Sequence, residues 1–171
     1  MTKAGIRGLH GPRGTGSTAR GAGRALVAVY AILALAATGR SVVQILDRFA
    51  EAPVAYSLSA LAAVVYIVAT IALVARGRTW TRVAWAAIVF ELAGVLIIGT
   101  LSTFAPDLLG IDDPSPFGRQ ATVWSFYGAG YGLVPLLLPV LGLIWLRRRS
   151  RTTAVDASAV DPTDATSGRP A

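Results

Sequence analysis

Four long apolar stretches constrain the fold of this chain more than any other feature of it. Each is close to the roughly 20 residues that a helix needs to cross about 30 Å of hydrocarbon. They cover residues 25–46, 54–75, 80–101 and 123–146, and the second and fourth contain no charged residue. A content of 54% apolar and 15% charged residues is also unlike that of a typical soluble domain. The sequence therefore predicts an all-α membrane protein with four transmembrane helices in a bundle.

The distribution of basic residues predicts the direction of the spans. Twelve bases lie before span 1, between or just inside spans 2 and 3, and directly after span 4: Lys3, Arg7, Arg13, Arg20, Arg24, Arg76, Arg78, Arg82, Arg147, Arg148, Arg149 and Arg151. The other two connections contain only Arg48 and Arg119. Because loops rich in Lys and Arg stay in the cytoplasm, both termini are expected there, in a multi-pass protein of the plasma membrane. An even number of spans requires the same result.

Aromatic residues near the span ends fit this direction. Trp80 and Trp145 fall at the predicted inner interface, and Trp124 and Tyr56 fall at the predicted outer interface. Span 1 has a second interpretation as a cleaved signal peptide, since bases precede a short apolar run that ends in small residues. The apolar stretch continues to Leu46, which favours a retained span.

The two ends of the chain differ in composition from the predicted transmembrane domain, residues 25–149. Residues 1–24 are rich in Gly, Arg, Ser and Thr, and residues 150–171 are rich in Ala, Thr, Ser and Asp. Neither segment has enough apolar surface to offset its ordering entropy, so both are predicted to be disordered cytoplasmic tails. The chain has no cysteine, and its single histidine, His10, has no partner for a metal or catalytic site. No metal, cofactor or catalytic residue is predicted.

Glu91 is an acidic residue in the middle of span 3. It stands about 15 Å from either end of the span, near the predicted midplane of the bilayer. An ionised carboxylate there costs about 3 kcal/mol or more, so the side chain should face other helices, stay protonated or find a cation. Ala84, Ala87 and Gly94 share its face of the helix and allow another helix to approach closely.

Arg40 is the basic residue deepest in span 1, and it shares a helix face with Gln44. The helical rise places its Cα about 8 Å from the level of Glu91. The sequence predicts an intramembrane polar cluster in which Arg40 meets Glu91 directly or through Gln44, Tyr66, Tyr131 or a water molecule.

Two other interpretations of this pair of charges stay open. In one, Arg40 extends to the outer surface and pairs with Asp47 or a headgroup, and Glu91 is protonated. In the other, the two charged residues handle protons or ions.

Span 4 contains a stripe of glycine and proline at helical spacing. Gly128 and Gly132 predict a close GxxxG contact, while Pro135 and Pro139 remove helical hydrogen bonds and predict a kink. A packed, bent helix is the simpler interpretation, and a hinge or ligand cavity is the alternative. In the loop 102–122, the aspartates match no calcium-site spacing, and the LLGI segment is placed at the outer interface.

The segments ATGRSVVQIL, APVAYSLSALAAVVYIVAT, FELAGVLIIGT and TVWSFYGAGYGLVPLLLPVLGLIWLRR resemble those of small uncharacterised four-span integral membrane proteins of actinobacteria. The resemblance covers residues 24–149 and includes Arg40, Gln44, Glu91 and Tyr131. It implies an integral protein of the plasma membrane and no particular activity.

Two functions are carried forward from the sequence. The first is a non-enzymatic helix-packing or accessory subunit that associates with itself or with another membrane protein. The alternative is a small transporter or channel component that uses Glu91 and Arg40 in a proton or ion path. The expected partners include a bilayer with anionic headgroups at its cytoplasmic face. Nucleic acid is not expected, because the bases cluster beside apolar runs rather than among exposed aromatics.

Overall fold

A computed structural model describes residues 15–112 and 115–159, with side chains for 21–112 and 115–151, and each regular element in these ranges is a helix. The long helices are α1 (Thr15–Arg48), α2 (Pro53–Val74), α3 (Arg78–Phe104) and α4 (Val134–Ala159). Short 3₁₀ segments lie at Phe49–Glu51, Pro106–Leu109 and Ser125–Tyr131. Three helices are long and apolar enough to cross a membrane, or four spans if Ser125–Tyr131 and α4 form one bent span. The predicted all-helical architecture with membrane-length helices is confirmed.

Helices α1 and α4 extend further than the predicted spans. Helix α1 begins at Thr15, and α4 continues to Ala159, so residues 15–24 and 150–159 are helical where disordered tails were predicted. Residues 1–14 and 160–171 of those tails, including His10, lie outside the described residues. A helix that is already nucleated gains one backbone hydrogen bond for each residue added, which lets it continue beyond its apolar stretch. With 34 residues, α1 is about 51 Å long, well above the thickness of hydrocarbon.

Short connections make α1, α2 and α3 antiparallel neighbours. Pro53 occupies the first turn of α2, where its missing N–H costs no helical hydrogen bond. Gly77 has a φ of +118° in the turn between α2 and α3, a conformation open mainly to glycine. Fully buried alanines at 55, 62 and 69 let α2 approach its neighbours closely.

The packed helices have two chemically different ends. The basic end is defined by Arg24, Arg76, Arg82 and Arg147, and the loop end by residues 105–124. Between them, the surface that faces away from the core is largely apolar, with exposed side chains that include Ile32, Leu35, Val64, Ile97 and Leu141. An exterior of this kind matches a hydrocarbon environment.

The fourth apolar stretch is broken. The Ser125–Tyr131 segment and α4 meet at an angle of 99°, and the predicted continuous span at 123–146 is therefore wrong in this respect. Phe126, Tyr127 and Leu133 all have positive φ, which turns the chain out of a right-handed helix.

At the loop end, several side chains are buried in the protein rather than placed at an interface. Trp124 and Tyr56 are 1% and 0% exposed, so their predicted role as outer-interface anchors is wrong. Leu109 and Ile111 of the LLGI segment are also buried, because the loop folds back over the helices. Leu108 of the same segment is exposed at this end of the helices, together with Phe104 and Phe117.

Candidate functional site

Glu91 lies at the centre of the packed helices and is fully buried. The hydroxyl of Tyr30, on α1, donates a hydrogen bond of 2.6 Å to its Oε2 atom. Its Oε1 atom has no hydrogen-bond partner among the described residues. The prediction that Glu91 faces other helices agrees with this placement. A buried carboxyl group with one oxygen that lacks a hydrogen bond lowers the free energy of unfolding. This cost sets Glu91 apart among the polar groups of the core.

Tyr66, on α2, extends the polar contacts around Glu91. Its ring packs against that of Tyr30 with centroids 6.3 Å apart, and its hydroxyl accepts a 3.2 Å hydrogen bond from Nε1 of Trp124. Side chains from α1, α2, α3 and the start of the fourth stretch therefore converge at one depth. We call Tyr30, Tyr66, Glu91 and Trp124 the core polar cluster.

Gly94 creates the space that Trp124 occupies. It lies three residues beyond Glu91 on α3, and a Cβ atom there would be 2.8 Å from the indole ring of Trp124. Phe90 makes an edge-on contact with the same ring. The small-residue face predicted around Glu91 accepts this aromatic side chain as well as a neighbouring helix.

Arg40 does not pair with Glu91, and the predicted direct pair is not formed. Its Nη2 atom donates to the carbonyl oxygens of Ala121 at 2.6 Å and Gly118 at 3.1 Å, with a longer contact of 3.5 Å to Arg119. No described ion pair joins it to Asp47 either. The physical reason is the loop, which folds back over α1 and presents backbone carbonyls at the depth of the guanidinium. Carbonyl oxygens satisfy a guanidinium without the need to bring a second charge out of water.

Gln44 forms a hydrogen bond to the same loop as Arg40. Its Nε2 atom donates to the carbonyl oxygen of Arg119 at 3.1 Å, while its Oε1 atom and Nε of Arg40 are buried without partners in the described part of the chain. The five residues predicted as one intramembrane polar cluster thus separate into two groups. Arg40 and Gln44 fasten the loop, and Glu91 and Tyr66 belong to the core polar cluster.

Tyr131 lies at the end of the Ser125–Tyr131 segment and is half-buried against the core. No hydrogen bond joins it to Glu91 or to Tyr66 within the described ranges.

Gly128 and Gly132 form a turn rather than the predicted GxxxG helix face. Both have positive φ, of +78° and +63°, and a Cβ atom at Gly128 would lie 2.7 Å from the ring of Pro135. The chain bends at Gly132 and Leu133, upstream of both prolines. Pro135 sits in the first turn of α4, where its missing N–H is tolerated, and Pro139 lies inside the helix. The chain bends in this region as predicted, but residues in left-handed conformations, Gly132 and Leu133 among them, make the bend in place of the prolines.

Sequence reasoning did not identify two members of the core polar cluster. Tyr30 has a detectable signal, because it shares the helix face of Leu26 and Leu33, both buried. Trp124 was predicted at the outer interface. Its inward orientation depends on the residues with left-handed backbone conformations that follow it in the chain. Ser102 was also missed; its hydroxyl accepts a 2.7 Å hydrogen bond from the backbone N–H of Phe126 and steadies the unwound segment.

The fold and the site define a class of protein: an all-helical chain with three or four helices apolar enough to cross a membrane and a buried acidic residue at their centre. Comparison with protein-family models, with curated proteins and with solved structures found no match. The resemblance to four-span actinobacterial proteins therefore stays a prediction.

Proposed function

We propose that this chain is a multi-pass plasma-membrane protein that acts as a non-enzymatic helix-packing or accessory subunit. Its four spans form a bundle with both termini in the cytoplasm. The apolar exterior and the concentration of arginine at the basic end support this arrangement.

The observation that carries the proposal is that polar side chains within the helices form hydrogen bonds between different segments of the chain. Trp124 bonds to Tyr66, Tyr30 bonds to Glu91, and Arg40 bonds to the loop carbonyls. Each of these contacts joins segments that are far apart in the sequence. Interhelical hydrogen bonds and close contacts of small residues hold membrane helices together where lipid supplies no hydrophobic drive. Such contacts are expected in a protein that keeps a defined shape in the bilayer.

A groove between α1 and α2 supplies a surface on which such a protein can receive a partner. It has a volume of about 460 Å³ and is lined by Thr38, Ser41, Val42, Ile45, Leu46, Ala60, Ala63, Val64 and Ile67. The two hydroxyl groups already donate to carbonyl oxygens of their own helix. The groove thus presents an apolar surface with small residues, which fits an apolar helix of a partner or of a second copy.

The test is the state of the tagged full chain after gentle extraction from its native membrane. The accessory role predicts that the chain is recovered at constant ratio with a companion or as a defined homo-oligomer. Cysteine introduced at Val42 or Val64 should cross-link to that companion in the membrane, whereas cysteine at Ile97, which is exposed on α3, should not. A monomer with no cross-link from either helix contradicts the proposal.

A small transporter or channel component is the second candidate, and the unsatisfied Oε1 atom of Glu91 is the observation that favours it. Ionisable residues within membrane spans are rare and often mark proton and ion pathways. Purified protein in liposomes should then move protons down an imposed gradient, and Glu91→Gln should abolish the flux while Gln44→Leu, which is buried outside the core polar cluster, leaves it intact. Equal flux from wild type, Glu91→Gln and empty liposomes removes this candidate.

A further inference from the structure

Trp124 covers the buried carboxyl group of Glu91 on the side of the loop end. Helix α3 runs from the basic end to the loop end, so Gly94 lies about 4.5 Å nearer to the loop end than Glu91. The indole ring of Trp124 fills the space beside Gly94, where a Cβ atom would lie 2.8 Å from it. Its Nε1–H group donates to the hydroxyl of Tyr66 at 3.2 Å. The ring thus stands between Glu91 and the solution at the loop end.

The segment that carries this ring, residues 121–131, is not α-helical although it lies within an apolar stretch of the chain. Its second half is a 3₁₀ segment in which Phe126 and Tyr127 have φ of +51° and +58°. Left-handed conformations are unfavourable for bulky residues and persist only where the surroundings hold them. The shape of the segment therefore depends on its contacts with the long helices.

Three side-chain hydrogen bonds, one from each of the first three helices, hold this segment. On α1, Nη2 of Arg40 donates to the carbonyl oxygen of Ala121 at 2.6 Å. On α2, the hydroxyl of Tyr66 accepts the indole N–H group. On α3, the hydroxyl of Ser102 accepts a 2.7 Å bond from the backbone N–H of Phe126. Because these bonds belong to side chains, the segment can move without breaking the backbone hydrogen bonds of a long helix.

The carboxyl group beneath the ring provides a reason for such a movement. Oε2 of Glu91 accepts the hydroxyl of Tyr30, while Oε1 has no donor among the described residues. A buried acceptor without a donor is unfavourable, and contact with water or a cation relieves that cost. An open arrangement of the segment therefore gains an interaction at Oε1 in exchange for the three hydrogen bonds that it loses.

We propose that residues 121–131 form a gate, with Trp124 as its plug, whose opening admits water and small cations from the loop end to Glu91. Arg40 is the residue that keeps the gate closed from a distance, because its described hydrogen bonds reach loop carbonyls and neither Trp124 nor Glu91. This inference rests on the second candidate under Proposed function for any transport through the opening. It adds the moving element and the side from which Glu91 is reached.

Reactivity of a thiol at position 91 tests the gate. The chain has no cysteine, so Glu91→Cys introduces a single thiol. The purified full chain in detergent micelles is treated with a methanethiosulfonate that carries a quaternary ammonium group, and mass spectrometry follows the labelling rate. This rate reports the population of the open form. Trp124→Ala in this background should raise it at least about tenfold, and Arg40→Leu should raise it roughly fivefold, because each removes a contact that holds the gate closed.

Trp80→Ala and Arg24→Leu are the matched controls, since both residues are exposed and lie towards the basic end. They should change the labelling rate less than about twofold, as surface substitutions away from the gate. Equal rates with and without Trp124 overturn the plug. Acceleration by Trp124→Ala but not by Arg40→Leu overturns the moving gate, because the ring then only fills space. Circular dichroism identifies a tryptophan variant that fails to fold, and Arg40→Leu then decides the result.

The labelling rate does not depend on transport, so the two proposals fail separately. Labelling controlled by Trp124 and Arg40, without proton flux in liposomes, supports the gate and refutes only the transport candidate. Flux that requires Glu91, with labelling that neither substitution changes, refutes only the gate.

Discussion

Removal of the Tyr30 hydroxyl should destabilise the protein because it leaves Glu91 without a donor. The hydrogen bond is short, at 2.6 Å, and both side chains are 0% exposed. A buried acceptor deprived of its partner costs about 1–3 kcal/mol. Measured couplings between membrane helices are smaller, with an average of roughly 0.6 and a maximum of about 1.7 kcal/mol. Tyr30→Phe should therefore lower the free energy of unfolding by about 1–2 kcal/mol.

Reversible unfolding in mixed micelles, followed by far-UV circular dichroism, measures this change. Tyr56→Phe is the matched control, since its hydroxyl makes a long 3.4 Å hydrogen bond to the exposed side chain of Glu51. The control should change stability by less than about 0.5 kcal/mol.

A double-mutant cycle isolates the contact from other effects of the substitution. Tyr30→Phe in a Glu91→Leu background has no carboxyl group to leave unpaired, so its cost should fall by about 1 kcal/mol. If Tyr30→Phe costs the same in both backgrounds, or no more than Tyr56→Phe, the hydrogen bond between Tyr30 and Glu91 does not stabilise the fold.

Two further predictions concern the backbone near the broken span. Gly94→Ala should destabilise the protein by about 1–3 kcal/mol because its Cβ atom would overlap the buried indole ring of Trp124. Gly39→Ala, where a Cβ atom would have nothing within 4 Å, should be neutral or stabilising. Equal effects at the two sites would show that the Trp124 ring does not occupy this space. Leu133→Gly should hardly change stability, because relief of the left-handed backbone strain offsets the greater entropy of the unfolded chain. Leu137→Gly, within α4, should lower stability by about 1 kcal/mol. A larger loss at Leu133 than at Leu137, measured by thermal unfolding in micelles, contradicts the left-handed turn.

The long apolar elements were predictable because hydrophobic length is a property of local sequence. Span 2, expected at 54–75, is observed as Pro53–Val74. The inward orientation of Glu91 was also predictable, since small residues share its helix face.

The partners of the polar side chains were less accessible to sequence reasoning. The predicted contact between Arg40 and Glu91 relied on straight helices and on depths counted from span ends. The acceptors that Arg40 finds are carbonyl oxygens of Gly118 and Ala121, and every residue has such an oxygen, so no pattern marks them. Their position depends on how the loop folds back, which is a tertiary property.

The broken fourth span illustrates the same limit. Phe126, Tyr127 and Leu133 adopt left-handed conformations that bulky residues rarely take. Packing overrides local preference there: Gly99 admits the Tyr127 ring, and Ser102 accepts the N–H of Phe126. A helical periodicity through residues 123–146 therefore predicted one continuous helix with a proline kink where the chain makes a turn.

Labelling of single cysteines tests the central claim, that lipid surrounds these helices with the basic end in the cytoplasm. The chain has no cysteine of its own, so Asp112→Cys and Arg76→Cys each introduce one thiol, at exposed positions on opposite ends of the helices. A membrane-impermeant maleimide applied to intact cells should label the cysteine at 112 at once and the cysteine at 76 only after permeabilisation. Labelling of the cysteine at 76 in intact cells, or recovery of the chain in the soluble fraction without detergent, would contradict the account.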